Sequence, residues 1–141
     1  MSLDGKQIKT HRLVRDRFAF SPDGARLAYV ALMGEKIEEW SDALVVDGAE
    51  NAAYKTVDVF SLAWSKDGKR FAYTASREGG RAPKVFAVTD GQEGKSYDLI
   101  APGTWSPNGA RFAYAAKINA AKTGGSGLWF AVVDGKEEGP L

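Results

Sequence analysis

Residues 18–29 read FAFSPDGARLAY, and the chain repeats this stretch as LAWSKDGKRFAY at 62–73 and as GTWSPNGARFAY at 103–114. The three copies align without a gap. A second pattern, Asp-Gly after an apolar run, recurs with spacings of 43, 43 and 44 residues. Its aspartates are Asp4, Asp47, Asp90 and Asp134. Two patterns with one period indicate a repeat protein, in which each unit packs on its neighbours.

Each repeat contains three apolar, β-branched or aromatic runs and a fourth, weaker one, all separated by turn residues, which predicts four strands, a to d. The turn between strands a and b is Ser-Pro-Asp-Gly or a variant of it. Its proline presets one dihedral angle, and Gly24, Gly68 and Gly109 can take a positive φ at little cost. The predicted strands are a at 18–21, 62–65 and 104–106, b at 26–31, 70–75 and 111–116, c at 43–46, 85–89 and 129–133, and d at 8–13, 53–57 and 96–100.

Strands b and c are apolar on both faces, as in LAYVA at 27–31 and FAVV at 130–133. Both faces of each sheet are therefore expected to be covered, and sheets stacked face to face provide that cover. A two-sheet sandwich would favour apolar–polar alternation, and an α/β fold would need long stretches of helical period. We predict an all-β chain with a single domain over 1–141. Its repeats are expected at approximately 4–46, 47–89 and 90–133, with 134–141 starting a further repeat.

The repeated SPDGxRLAY stretch resembles the blade of TolB-like, WD40-like (PD40-type) β-propellers, and the resemblance runs from residue 4 to 141. It implies three four-stranded antiparallel blades of about 43 residues. The Trp-Asp pair of true WD repeats is absent, so the ligand modes of that group are not carried over. Propellers of this kind serve as protein-binding scaffolds and as gating domains of peptidases. The resemblance is compatible with a periplasmic or other extracytoplasmic location.

Three blades are too few to close a ring, since propellers have about four to eight blades around a channel. We expect the last repeat to lack strand d and residues 8–13 to be suited to supply it. Two chains placed head to tail, each lending residues 8–13 to the other, would form a six-bladed ring. The chain is thus predicted to be half of a six-bladed propeller and a homodimer. The alternative is an open arc, or a piece of a longer propeller.

Composition excludes several classes of partner. The net charge is +1, from 19 basic and 18 acidic residues, so no strong field attracts nucleic acid or an anionic membrane. No apolar run approaches the roughly 20 residues of a membrane span, and the amino terminus lacks a signal-peptide pattern. The absence of cysteine removes disulfides and thiolate metal sites. We expect neither a nucleic-acid partner nor a membrane span.

No constellation of catalytic residues is recognisable. His11, the only histidine, falls at the repeat position of Tyr54 and Tyr97, and it is therefore interpreted as a structural ring position. The repeated aspartates are interpreted as turn residues that bond local backbone N–H groups. The repeated arginines are expected to serve blade packing or surface pairing; they are Arg26, Arg70 and Arg111. We predict no catalytic residue, no metal and no cofactor.

Segments that differ between repeats are better candidates for binding, because insertions in repeat folds gather on one face. The b–c loops differ most, and they share a rim with the d–a connections. Arginine and aromatic anchors there would suit a peptide or an anionic ligand. The candidate ligand-binding residues are Arg15, Arg17, Trp40, Arg77, Arg81, Lys84, Lys117 and Lys122.

These features predict a non-catalytic interaction module that binds a protein, peptide or glycan at the loop rim or in the central channel. The alternative for the loop residues is a solvated surface without a ligand. The alternative for the chain is a gating or accessory propeller of a hydrolase, or a fragment of a larger propeller enzyme.

Overall fold

A computed structural model describes residues 2–3, 6–7, 13–34, 36, 38, 40–79, 83–119 and 127–141, with only the backbone of 2–3, 6–7 and 13–17. The described residues form β-strands and no α-helix, which confirms the all-β prediction. No helix among them is long and apolar enough to cross a membrane. The strands are β1 (Ser2–Leu3), β2 (Lys6–Gln7), β3 (Leu13–Phe20), β4 (Leu27–Met33), β5 (Ser41–Val46), β6 (Ala49–Tyr54), β7 (Thr56–Trp64), β8 (Phe71–Ser76), β9 (Phe86–Thr89), β10 (Gln92–Glu93), β11 (Leu99–Ile100), β12 (Thr104–Trp105), β13 (Phe112–Ile118), β14 (Leu128–Val133) and β15 (Lys136–Glu138).

The strands from β3 onward form three antiparallel sheets, which we call blades 1, 2 and 3. Blade 1 has the order β3-β4-β5-β6, and blade 2 consists of β7, β8, β9 and β10 in the same meander. In blade 3 the first strand is divided into β11 and β12, both paired with β13, and β14 and β15 follow. The prediction of three four-stranded antiparallel repeats is confirmed. Strands β1 and β2 pair separately.

The fourth strand of each blade differs from the prediction. Strand β6 ends at Tyr54 and β7 begins at Thr56, so the predicted strand 53–57 spans parts of two strands. Blade 3 has a fourth strand of its own, since β15 pairs with β14; the prediction that it lacks one was wrong. Of the predicted strand 8–13, Leu13 begins β3, and 8–12 lie outside the described residues.

Asp-Gly turns explain the position of the fourth strand. Asp47, Asp90 and Asp134 have φ of 51°, 50° and 51°, and the glycine after each has φ of 81°. Two successive positive φ values are typical of the two-residue hairpin turn whose twist matches that of the flanking strands. The chain therefore returns at once as the outer strand of the same blade.

Apolar clusters pack the blades face to face. We call the face of a blade toward the preceding blade its leading face, and the opposite one its trailing face. The first cluster joins blade 1 to blade 2 through Val30, Leu44, Tyr73, Phe86 and Val88, among others. The second joins blade 2 to blade 3 through Ala72, Ala87, Tyr97, Phe112, Tyr114 and Val132, among others. Blade 2 is covered on both faces, as the apolar strands b and c predicted.

The first strands of the blades are the inner strands, because they lie side by side: β3 next to β7, and β7 next to β12. Each inner strand departs from regular pairing at the same repeat position. The register shifts between Val14 and Phe18 in β3 and between Asp58 and Ala63 in β7, and blade 3 has the break between β11 and β12. These irregular segments position the candidate site.

Candidate functional site

Bulges in the inner strands place three short segments in one row across the blades. A bulge bends its strand and re-aims side chains, and bulges are common beside functional sites. The segments are 15–17 in blade 1, 59–62 in blade 2 and 101–103 in blade 3. We call them the bulge row.

Phe60 stands in the bulge of blade 2 and is 69% exposed. Its backbone N–H donates to Asp58 Oδ1 at 2.9 Å. The Ser61 hydroxyl donates to the Asp58 carbonyl at 2.5 Å and accepts the Thr74 N–H at 2.7 Å. The bulge is thus held by local hydrogen bonds, and it presents an aromatic ring to solvent from an ordered backbone.

Grooves lie on both sides of Phe60. The groove toward blade 3 has a volume of about 210 Å³, and Ser61, Ala101 and Pro102 are among its lining residues. The groove toward blade 1 has a volume of about 290 Å³, with Val59 and Leu62 in its wall. Both lie at or below the lower end of the roughly 300–1,000 Å³ of small-molecule pockets. They suit individual side chains of an extended ligand better than a compact cofactor.

Arg15 and Arg17 lie in the bulge row, in the part contributed by blade 1. They were predicted in a connection at the loop rim, but both belong to β3. The structure describes only their backbone. Two of the predicted residues therefore share the inner strands with Phe60.

Arg77 makes contacts that join blades 1 and 2. Its Nη2 donates to both carboxylate oxygens of Glu93, and its guanidinium lies 4.7 Å from the Phe86 ring centroid and 5.4 Å from that of Tyr54. The Tyr54 hydroxyl donates to Glu93 at 2.6 Å. The bonds from Arg77 and then Tyr54 hold the pKa of Glu93 below its usual value. Burial, and then the bond to Glu93, raise the pKa of Tyr54.

The other predicted residues are distributed over separate blades. Lys84 Nζ lies 3.6 Å from Asp98 Oδ1, and Lys117 Nζ lies 5.7 Å from the Trp129 ring centroid. Trp40 Nε1 is buried without a hydrogen-bond partner among the described residues. Arg81 and Lys122 lie outside the described residues, as does His11. Where side chains are described, no group of three or more His, Asp or Glu could hold a metal ion.

Sequence reasoning missed Phe60. The predicted strand a of blade 2 began at Leu62, which left Phe60 in an unassigned connection. A signal was present, because the gapless repeat alignment places Phe60 opposite Asp16 and Ala101. A large aromatic residue at a position that is not aromatic in the other repeats is a candidate binding residue rather than a packing residue.

The comparison with known proteins rests on structure, since no known protein-family profile and no curated protein matches the chain. The β-propeller domain of the Trilobed protease from Pyrococcus furiosus is similar over 89% of this chain and 41% of that chain, with a TM-score of 0.53 and 13% identity. The chain has the β-propeller fold. This confirms the fold that the repeat predicted.

Two further propellers are similar in structure. TolB from Acinetobacter baumannii has a TM-score of 0.45 and 19% identity over 86% of this chain and 30% of that chain. A putative TolB from Agrobacterium tumefaciens has a TM-score of 0.46 and 17% identity over 89% of this chain and 44% of that chain. The chain spans less than half the length of each of these three propeller structures.

In a propeller the blades surround a central channel. The inner strands β3, β7 and β12 lie side by side, so they form the channel side of the blades. The bulge row therefore lies on the inner-strand side of the blades, which is the side that faces the channel in a closed propeller.

Proposed function

We propose that this chain is a non-catalytic propeller module that binds an extended, acidic peptide segment along the bulge row. One apolar side chain of the peptide would pack on Phe60, and its acidic side chains would pair with Arg15 and Arg17. The observation that carries the proposal is the 69% exposure of Phe60 between two grooves. Phenylalanine and arginine are both enriched at protein interfaces, and arginine is among the commonest energetic hot spots.

The charges of the bulge row favour an acidic ligand. Arg15 and Arg17 flank Asp16 directly in the sequence, so the 15–17 segment of the bulge row carries a net positive charge. Asp58, an acidic residue next to the blade 2 bulge, already accepts the Phe60 N–H. Pairing between exposed charges is screened by salt over about 8–10 Å at physiological ionic strength, so binding of such a peptide should weaken as salt is added.

Three fluorescent peptides of equal length test this proposal by fluorescence anisotropy. One alternates glutamate and leucine, one lysine and leucine, and one glutamate and serine. The glutamate–leucine peptide should bind the tightest, and Phe60→Ser should weaken its binding at least about tenfold, which is about 1.4 kcal/mol.

Leu128→Ser is the matched control, because Leu128 is also an exposed apolar residue (37%) but lies in β14, away from the bulge row. This variant should bind like the parent chain. Failure of all three peptides to bind, or equal weakening by both substitutions, would refute the proposed site.

A further inference from the structure

One arginine fastens blade 1 to blade 2 at the end where the a–b turns lie. Arg26 Nε donates to Asp47 Oδ2 of its own blade at 2.8 Å. Its Nη1 reaches blade 2 and donates to the carbonyls of Gly68 at 3.0 Å and Lys69 at 3.2 Å. Its guanidinium also lies 5.4 Å from the ring centroid of Trp64. Charge-assisted hydrogen bonds of this kind are stronger than neutral ones.

The boundary between blades 2 and 3 repeats this arrangement. Arg70 Nε donates to Asp90 Oδ2 at 2.7 Å, and its Nη1 donates to the carbonyls of Gly109 at 2.9 Å and Ala110 at 3.2 Å. Its guanidinium lies 4.5 Å from the Trp105 ring centroid. The arginine, the two turn carbonyls and the aromatic ring occupy equivalent repeat positions at both boundaries, so the contact is a property of the repeat. We call it the arginine joint.

The glycine of the a–b turn belongs to the joint as well. A Cβ added to Gly68 would lie 3.3 Å from Ser21 Cβ of blade 1, and one added to Gly109 would lie 3.5 Å from Ser65 Cβ of blade 2. The turn of each blade thus sits against the turn of the preceding blade. A complete joint needs an arginine on the trailing face of one blade. It also needs a glycine turn and an aromatic ring on the leading face of the next blade.

Blade 3 carries the first half of a further joint. Arg111 Nε donates to Asp134 Oδ2 at 3.0 Å, as Arg26 and Arg70 do to their own aspartates. Its Nη atoms have no carbonyl partner among the described residues. The Arg111 side chain is 66% exposed, compared with 30% for Arg26 and 39% for Arg70. The donor is held in the geometry of the joint and faces solvent.

Blade 1 carries the second half. Gly24 has φ of 76°, like its equivalents, but an added Cβ would meet no described atom within 4 Å. Phe20 occupies the repeat position of Trp64 and Trp105 and is 55% exposed. The ring and the turn that receive an arginine in blades 2 and 3 are therefore exposed in blade 1.

We propose that a second copy of this chain docks head to tail through the arginine joint. Arg111 of one copy would donate to the Gly24 and Ala25 carbonyls of the other and lie over its Phe20. The two halves sit at opposite ends of the same chain, so the contact is heterologous and closes into a ring if the rotation suits. Two copies would supply six blades, within the range of about four to eight for propellers.

The proposed contact differs from the exchange of residues 8–13 that the sequence suggested, because β15 already occupies the fourth position of blade 3. On the leading face of blade 1, Tyr29 and Val45 are buried within the chain. The docking surface on this side therefore consists of the a–b turn and the inner strand. On the other side it includes Ala113 and Val133 of the trailing face of blade 3, which are only partly buried.

Sedimentation velocity over a wide concentration range tests the proposal. The parent chain, with a monomer mass of 15.2 kDa, should associate to about twice that mass. Arg111→Glu should raise the dissociation constant at least about tenfold, because it replaces the donor with a charge that the turn carbonyls repel. Phe20→Arg should do the same, since it would face Arg111 of the other copy.

A charge swap keeps the test specific. The double variant Phe20→Arg with Arg111→Glu pairs opposite charges across both joints of a dimer, and it should recover association. Lys136→Glu, a charge reversal on the exposed strand β15, should associate like the parent chain. A parent chain that stays monomeric at every concentration would overturn the proposal, as would an Arg111→Glu variant that associates normally or a double variant without recovery. Circular dichroism checks that each variant is folded.

Discussion

The indole Nε1 of Trp105 donates a 2.9 Å hydrogen bond to the carbonyl of Ala63, which ties the inner strand of blade 3 to that of blade 2. Trp64 occupies the equivalent position one blade earlier. Its Nε1 is also buried, but it has no hydrogen-bond partner among the described residues. Two tryptophans that are equivalent in the repeat thus differ in one hydrogen bond.

Replacing each tryptophan with phenylalanine should reveal that difference. Trp105→Phe loses the bond and leaves the Ala63 carbonyl without this donor, at a cost of about 1–2 kcal/mol beyond the loss of ring volume. Trp64→Phe loses the same volume but removes an unsatisfied buried N–H, so it should cost less or be neutral. Urea denaturation of the two variants measures the free energies of unfolding. Equal losses would contradict the hydrogen-bonding difference.

Arg70→Ala should destabilise the chain more than Arg111→Ala. The first removes the three hydrogen bonds of a complete joint, and we expect a loss of about 1–2 kcal/mol after allowance for solvent screening. The second removes an exposed ion pair to Asp134, worth less than about 1 kcal/mol. Urea denaturation at low protein concentration makes the comparison independent of association. A larger loss for Arg111→Ala would show that the joint does not stabilise the blade boundary.

Gly103→Ala should be destabilising. A Cβ at this position would overlap the Phe112 ring and lie 2.9 Å from the Ala113 carbonyl oxygen, so the inner strand of blade 3 would have to shift. Overpacking of this kind costs about 1–3 kcal/mol. Gly79→Ala is the control, since its Cβ would meet Lys55 Cε at an ordinary 3.6 Å. Thermal unfolding should separate the two variants, and similar melting temperatures would contradict the close packing at Gly103.

The free energy of unfolding should fall as the pH drops below 4.5, which is the usual pKa of a glutamate side chain. Bonds from Arg77 and Tyr54 lower the pKa of Glu93, and bonds from Lys95 and Tyr97 lower that of Glu137. A carboxyl whose pKa is lowered by folding stabilises the folded chain at any pH above the pKa that it has in the unfolded chain. This stabilisation is lost as the pH falls through the lower pKa that it has in the folded chain.

Glu93→Gln should therefore make the urea midpoint less dependent on pH in the range below 4.5. Its control is Glu138→Gln, a substitution of an exposed glutamate in β15 for which no hydrogen bond is described. Identical pH dependence in the parent chain and both variants would show that Glu93 does not contribute to acid unfolding.

Local patterns were sufficient to predict most of the blade. The Ser-Pro-Asp-Gly turns and the two-sided apolar runs placed strands b and c within a few residues of β4, β5, β13 and β14. Strand d was misplaced because its residues are exposed and weakly apolar, as in AENAAY of β6. The Asp-Gly turn before it is a strong signal for a two-residue hairpin, and it would have given the correct position.

The candidate site was harder to predict because it depends on pairing between strands. Residues 56–64 read TVDVFSLAW, and nothing within them shows that Val59–Leu62 leave the ladder with β8. The sequence suggests Arg77 as a ligand-binding residue because it is a charged residue in a variable loop, and it does not show the pairing of Arg77 with Glu93. Glu93 is 16 residues away in sequence, and it contacts Arg77 only once blade 2 has formed.

The sequence by itself determined the period, the turns and strands b and c of each blade, because these depend on residues that are neighbours along the chain. Arg26, Arg70 and Arg111 are indistinguishable at that level, and all three were correctly assigned to packing or pairing. Only the tertiary structure decided that two of them bridge blades while the third faces solvent. The reason is physical: an arginine can donate to turn carbonyls only where another blade lies beside it.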